Sequence, residues 1–173
     1  MQKFTKIRSR IIANNLVTLI DASENVIIMG HKYTDYDSIG ACIGVSRLVK
    51  FRNKKVNVIV NTNDQNLNGV FAKLDDTEEY GDMFVDATTG QDLLRSSTLV
   101  VIVDVNNKNL FEAPDIYQNA NTVAIIDHHR KTEDFNREVA ISYIEPSASS
   151  ASELVCEILE QVLPSNTLPK DEA

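Results

Sequence analysis

At 173 residues the chain is long enough for one domain with a substantial core and too short for several. Its composition, 43% hydrophobic and 24% charged, is that of a globular protein and excludes a disordered or fibrous chain. A formal charge of −8 argues against nonspecific binding to duplex nucleic acid or to an anionic membrane surface, but not against an anionic substrate, since bound divalent cations reverse the local field.

In chain order, residues 3–22 carry Phe4, Ile7, Ile11, Ile12, Leu16, Leu19 and Ile20 at helical spacing. They predict an amphipathic helix that covers one side of a sheet, or else connects to an upstream domain or makes a dimer contact. Residues 26–29 read as a buried strand. A polar loop with His31, Asp35 and Asp37 follows, then a helix from Asp37 or Ser38 to about Phe51. Gly40 and Gly44 in that helix lower its propensity, and a close approach of helix to sheet is the expected reason. A second strand at 56–60 completes a parallel crossover. Residues 61–97 are less regular: a polar loop at 61–68, a short helical turn at 70–74, a short strand at 83–85 and another helical turn ending at 92–94. Residues 99–104 form a continuous β-branched run that must be buried on both faces. Further strands are expected at 123–126 and 140–144. The last helix opens after Pro146, with Ser150 and Glu153 in a capping-box pattern, and Pro164 stops it. This alternation predicts an α/β fold, a doubly wound, mainly parallel sheet of about five strands with helices on both faces. The expected divisions are a connector helix at 1–22, a lobe at 23–164 and a polar tail at 165–173. Cys42 and Cys156 lie on apolar helical patterns and read as buried free thiols. No signal peptide and no bilayer-length apolar run is found, so the chain as given reads as soluble and cytoplasmic.

The three histidines, His31, His128 and His129, all sit just after predicted strands. Open α/β sheets bind ligands at the carboxyl ends of their strands. In the H-x3-D-x-D segment, His31 and Asp35 can close on one metal ion while Asp37 points to another. Asp104 ends a buried strand, where a carboxylate is costly unless paired or metal-bound, and one strand over it suits a ligand bridging two ions. His128 supplies a second imidazole. Singly, Asp37 reads equally as an N-cap, Asp104 as a strand-end cap and the histidine pair as a surface turn. Together, at strand carboxyl ends, they point to a metal-dependent hydrolase in which two ions activate water for attack on a phosphoester or phosphoanhydride. Imidazole with carboxylate suits Mn, Fe, Co or Zn better than Ca. Asp127 is placed to orient an imidazole, His129 to meet phosphate or act as a general acid, and Arg130 and Lys131 to meet phosphate oxygens. Ser149 and Ser150 lie at a helix N-terminus, which either caps the helix or binds an anion.

Asp127-His128-His129, the segment GHKYTDYDSIG and the strand VVIVDV resemble, in order, three motifs of the DHH phosphoesterase superfamily. Within it, IMGHKYTDYDSIGACIG, IEPSASSASELVCEIL and the opening KIRSRIIANNL resemble the membrane-bound bacterial GdpP/YybT type, phosphodiesterases that linearise cyclic di-AMP to pApA. The resemblance implies His31, Asp35 and Asp104 on one Mn²⁺ and Asp37, Asp104 and His128 on a second, with Fe, Co or Mg as other candidates, and His129 facing the phosphate. It also implies a further Asp ligand and a DHHA1 domain beyond the last helix, neither within this chain. The chain therefore reads as an amino-terminal DHH lobe, weak or inactive by itself, whose parent is anchored at the cell membrane. A homodimer is possible for the group. Within the superfamily the alternatives are a short-oligonucleotide or pAp phosphatase and a pyrophosphatase. Outside it stands a non-catalytic metal- or nucleotide-binding module.

Overall fold

The computed structural model describes residues 2–61, 63, 68–75, 80–131, 135 and 137–164. The polar loop expected at 61–68 and the tail at 165–173 fall largely or wholly outside them.

The elements follow in the order α1 (Gln2–Ala22), β1 (Asn25–Met29), α2 (Tyr36–Phe51), β2 (Lys55–Ile59), α3 (Asn68–Asp75), β3 (Phe84–Val85) and α4 (Ala87–Leu93). Then come β4 (Leu99–Val103), a 3-10 turn (Lys108–Leu110), α5 (Pro114–Asn119), β5 (Thr122–Asp127), β6 (Ile141–Ile144) and α6 (Ala151–Val162). The strands form one sheet in the order β3-β2-β1-β4-β5-β6, every neighbouring pair parallel. The sheet thus has six strands rather than about five, because the two residues of β3 pair with β2 as an edge strand. β3 is the short strand expected at 83–85, trimmed to two residues.

Side chains alternate across the sheet as the pleat requires. Val26, Ile28, Val101, Val103 and Ile126 face a core closed by Leu16 and Ile20 of α1, Leu48 and Val49 of α2, and Leu154, Val155 and Ile158 of α6. Ile27, Met29, Val100, Ile102 and Ile125 face the other side, closed by Phe111, Ile116 and Tyr117. Both faces of the central strands are therefore dry, which is why β1 and β4 read as unbroken apolar runs.

The glycines of α2 serve a different contact from the expected one. A Cβ on Gly44 would lie 2.7 Å from Val155 Cγ1, and one on Gly40 would lie 2.9 Å from Ser152 Oγ. They admit α6, not the sheet. Cys156 is likewise exposed rather than buried, because it falls on the face of α6 opposite Leu154, Val155, Ile158 and Leu159; Cys42 is buried and both thiols are free.

The chain runs outward from β1 through β2 to β3, then returns to the other flank of β1 with β4. β1 and β4 are therefore neighbours at the point where strand order reverses, and their carboxyl ends open the crevice in which such sheets hold ligands.

Candidate metal centre

His31, two residues beyond β1, sits on a short bridge to Phe111. Its Nδ1 faces the Lys32 carbonyl at 2.6 Å. A carbonyl only accepts, so Nδ1 carries a proton and Nε2 is the atom aimed inward. There Nε2 lies 3.7 Å from Asp35 Oδ2 and 3.4 Å from Asp104 Oδ2. The other oxygen, Asp104 Oδ1, lies 3.3 Å from His128 Nε2, and that same nitrogen is 3.6 Å from Asp37 Oδ2. The two oxygens of one carboxylate thus face two different imidazoles, each with its own second carboxylate.

Asp104 is costly to hold there. It is only 2% exposed, its Oδ1 has no hydrogen-bond partner, and its backbone has φ 61°. Non-glycine residues reach that left-handed region only at a cost, and such outliers collect at functional sites. Burial pushes its carboxyl up, the bond from His31 pulls it down, and the charges of Asp37 and Asp35 raise it further. His31 responds in the opposite sense, raised to about 9 by its bond to Asp104 first, against the opposing effect of burial, and then by the Lys32 carbonyl and the charges of Asp104 and Asp35. A site that collects protons in this way also collects cations. The orphaned, buried Oδ1 and the mixed imidazole and carboxylate donors fit divalent metal, and Asp104 belongs to both candidate groupings, one with His31 and Asp35 and one with His128 and His129.

The first turn of α2 differs from expectation. Its N-cap is Asp35, whose Oδ1 accepts from Ser38 N at 2.9 Å, and the helix begins at Tyr36. Asp37 instead caps a different helix: its two oxygens accept from Ala151 N and Ser152 N of α6, each at 2.8 Å. Burial alone would raise its carboxyl, but the Ser152 and Ala151 bonds and the nearby His128 hold it below the ordinary range. Gly30 allows this crowding at the strand end, since a Cβ there would lie 1.9 Å from Ser38 Oγ.

Asp127 is fully buried at the end of β5. It orients His129 rather than His128, with Oδ1 accepting from His129 Nδ1 at 2.8 Å and from His129 N at 3.2 Å. Its other oxygen accepts from Asn106 Nδ2 at 2.5 Å. Sequence reasoning missed Asn106. No motif marks it, because its role depends on β4 and β5 being adjacent. With Nδ1 committed to Asp127, His129 presents Nε2.

His31, Asp35, Asp37, Asp104, Asn106, His128 and His129 line a cleft of about 760 Å³, within the usual range for small-ligand sites. Ser149 and Ser150 line it too, but their hydroxyls are engaged: Ser149 Oγ donates to Glu153 Oε2 at 2.6 Å, and Ser150 Oγ accepts from Glu153 N at 3.0 Å. The expected capping box forms with one shift, since Glu153 reaches back to Ser149 N. Arg130 is exposed beside His129 and is not among the lining residues, and Lys131 lies over the Phe135 ring at 5.6 Å.

Residues 25–173 match the DHH family, N-terminal domain. The chain belongs to that family. It is 35% identical over 162 residues to the cyclic-di-AMP phosphodiesterase GdpP of Bacillus subtilis (strain 168), covering 92% of this chain and 25% of that protein. It is 34% identical over 163 residues to the cyclic-di-AMP phosphodiesterase PdeA of Listeria monocytogenes, with the same 92% and 25% coverage. More distantly it resembles the bifunctional oligoribonuclease and PAP phosphatase NrnA of Mycoplasma genitalium, 27% identical over 146 residues, 82% of this chain and 41% of that one. The chain thus spans about a quarter of the length of the cyclic-di-AMP phosphodiesterases it matches. Among solved structures, an exopolyphosphatase-related protein from Bacteroides fragilis shares the fold, with TM-score 0.70 and 24% identity, over 86% of this chain and 43% of that one. Among the described residues no helix is long and apolar enough to cross a membrane.

Proposed function

We propose that this chain is the metal-binding lobe of a phosphodiesterase that opens cyclic di-AMP to linear pApA. The observation that carries a two-ion site is Asp104, one carboxylate whose oxygens face His31 on one side and His128 on the other at 3.4 and 3.3 Å. Membership of the DHH family and the activities named for GdpP and PdeA support the phosphodiester substrate.

In this reading His31, Asp35 and Asp104 hold one divalent cation, Mn²⁺ by choice, and Asp37, Asp104 and His128 a second. Bound there, such ions neutralise phosphate charge and bring water to a reactive state near neutral pH. The chain's own groups do the remaining work. The buried Asp127 fixes the proton of His129 on Nδ1, so the Nε2 of that ring is the atom that holds or delivers a proton at the leaving oxygen. Asn106 keeps Asp127 in place. Asp37 ties the floor of the site to α6, and Ser149 and Ser150 form the wall at that helix N-terminus. Arg130, outside the cleft lining, would meet only the outer parts of a large anionic substrate.

The test is turnover of cyclic di-AMP with Mn²⁺, followed by chromatography for pApA. Asp104→Asn is expected to abolish it. His129→Asn should lower kcat by about 10²-fold or more while Mn²⁺ still binds. Faster cleavage of pAp or a short oligonucleotide would move the substrate to the class named for NrnA. Because the lobe by itself is expected to be weak or inactive, the refuting result is a chain that binds Mn²⁺ and cleaves no phosphoester even when joined to the DHHA1 domain that the family resemblance implies.

A further inference from the structure

Tyr33 is 87% exposed, yet it stands on a rigid support. On one side Lys32 N donates to the Leu110 carbonyl at 2.8 Å, and Glu112 N donates to the Gly30 carbonyl at 3.0 Å. On the other, Thr34 is buried and its hydroxyl donates to the His31 carbonyl at 3.3 Å. Between these anchors Tyr33 takes φ 61°, a left-handed backbone that suits glycine and disfavours a bulky aromatic. The loop therefore holds a large apolar ring in water, in a conformation that a smaller residue would adopt more easily. Neither feature helps the fold.

The ring lines the cleft of the metal centre, and no other Phe or Tyr does so among the described residues. Leu110, 47% exposed, lines the same wall. The cleft thus pairs groups suited to cations and phosphate, the three imidazoles among them, with one tyrosine ring at its edge. Such a surface recognises the flat face of a base with little regard to sequence.

We propose that Tyr33 is a stacking platform for a nucleobase of the substrate and sets the preference of this site for nucleotides over base-free phosphates. The inference rests on the phosphodiesterase reading above and names the part of the substrate that the metal centre does not touch. Tyr33 acts in specificity, not in the chemical step.

Calorimetric titration with AMP and with ribose 5-phosphate, each with Mn²⁺ present, tests it without turnover. The wild-type chain should bind AMP about tenfold or more tightly than ribose 5-phosphate, the range that base–aromatic stacking provides. Tyr33→Ala and Tyr33→Gly should lose that preference while keeping the affinity for ribose 5-phosphate and a Tm no lower than that of the wild type, Tyr33→Gly the higher of the two because glycine relieves the left-handed backbone. Tyr33→Phe should retain it, as should Tyr36→Ala, since Tyr36 is 71% exposed but does not line the cleft. A preference that survives Tyr33→Ala would overturn the inference and leave the phosphoester site standing. An equal loss of both ligands would also overturn it, marking Tyr33 as a support for the loop. Binding of neither ligand by the wild type would overturn the phosphodiesterase reading along with it.

Discussion

Asp37 has two roles whose removal would change stability in opposite directions, so one substitution separates them. As one of three neighbouring carboxylates with Asp35 and Asp104, it repels them in the metal-free protein, and Asp37→Ala would then stabilise the apo fold. As the cap of α6 it joins two helices through Ala151 N and Ser152 N, 114 and 115 residues away in sequence, with its side chain only 23% exposed. Charge-assisted bonds of this kind contribute ~1.5–3 kcal/mol each where water cannot replace them. Water reaches this helix end in part, and replacing a cap by alanine typically costs ~0.5–2 kcal/mol. Ser150 also remains as a local cap. After the relief of repulsion, a net loss of about 1–2 kcal/mol is expected. At this chain length each kcal/mol moves Tm by ~2–4 °C, so Asp37→Ala should melt about 2–8 °C below wild type in EDTA at pH 7. Asp37→Asn should behave similarly, since its amide sets a donor against one of the two N–H groups. Asp35→Asn is the control. Asparagine caps as well as aspartate, so its apo stability should stay within ~0.5 kcal/mol of wild type. An Asp37→Ala protein as stable as wild type, or more stable, would refute the capping argument.

Four further outcomes follow from the same geometry. Calorimetry should find two Mn²⁺ ions on the wild-type chain and loss or severe weakening of both in Asp104→Asn; one ion retained at wild-type affinity would exclude a shared carboxylate. Gly44→Ala should destabilise by ~0.5–2 kcal/mol despite a helix-propensity gain of ~1, because its Cβ meets Val155 Cγ1 at 2.7 Å, and adding Val155→Ala should recover part of the loss in urea melts. Glu145 is held below its ordinary range by the Ser147 hydroxyl first, then, against the effect of burial, by Ser147 N and Arg8. The stability it contributes is therefore complete above the unfolded value of about 4.3 and lost as pH falls through the lower folded value, so the Tm gap between wild type and Glu145→Gln should shrink as pH falls below that unfolded value. One thiol should react with a disulfide reagent in the native protein and two after unfolding, because Cys156 is exposed whereas burial first, and then the Asp104 charge, push the Cys42 thiol far up.

The elements legible in the sequence are those whose signal is local. β1, β4 and β5 are β-branched runs because both of their faces are dry, and a run buried on both faces needs no partner to be recognised. The same holds for α6, whose cap and apolar stripe lie within one short segment. The residues at strand carboxyl ends, His31, Asp104 and His128, stand out as candidates only jointly, because each singly has an ordinary structural reading while imidazoles and a costly buried carboxylate recurring after successive apolar strands do not.

What the tertiary structure decided are relations between segments far apart in the chain. Which helix needs the glycines of α2, which imidazole Asp127 orients, why Asn106 matters and where Asp37 spends its oxygens all depend on which elements are neighbours. No local pattern encodes that α6 returns to the start of α2, or that β4 lies between β1 and β5. The sequence alone determined an α/β sheet with metal-suited residues at its carboxyl edge. Folding alone brought the two oxygens of Asp104 between His31 and His128, since only the reversal of strand order beside β1 places those three residues around one crevice.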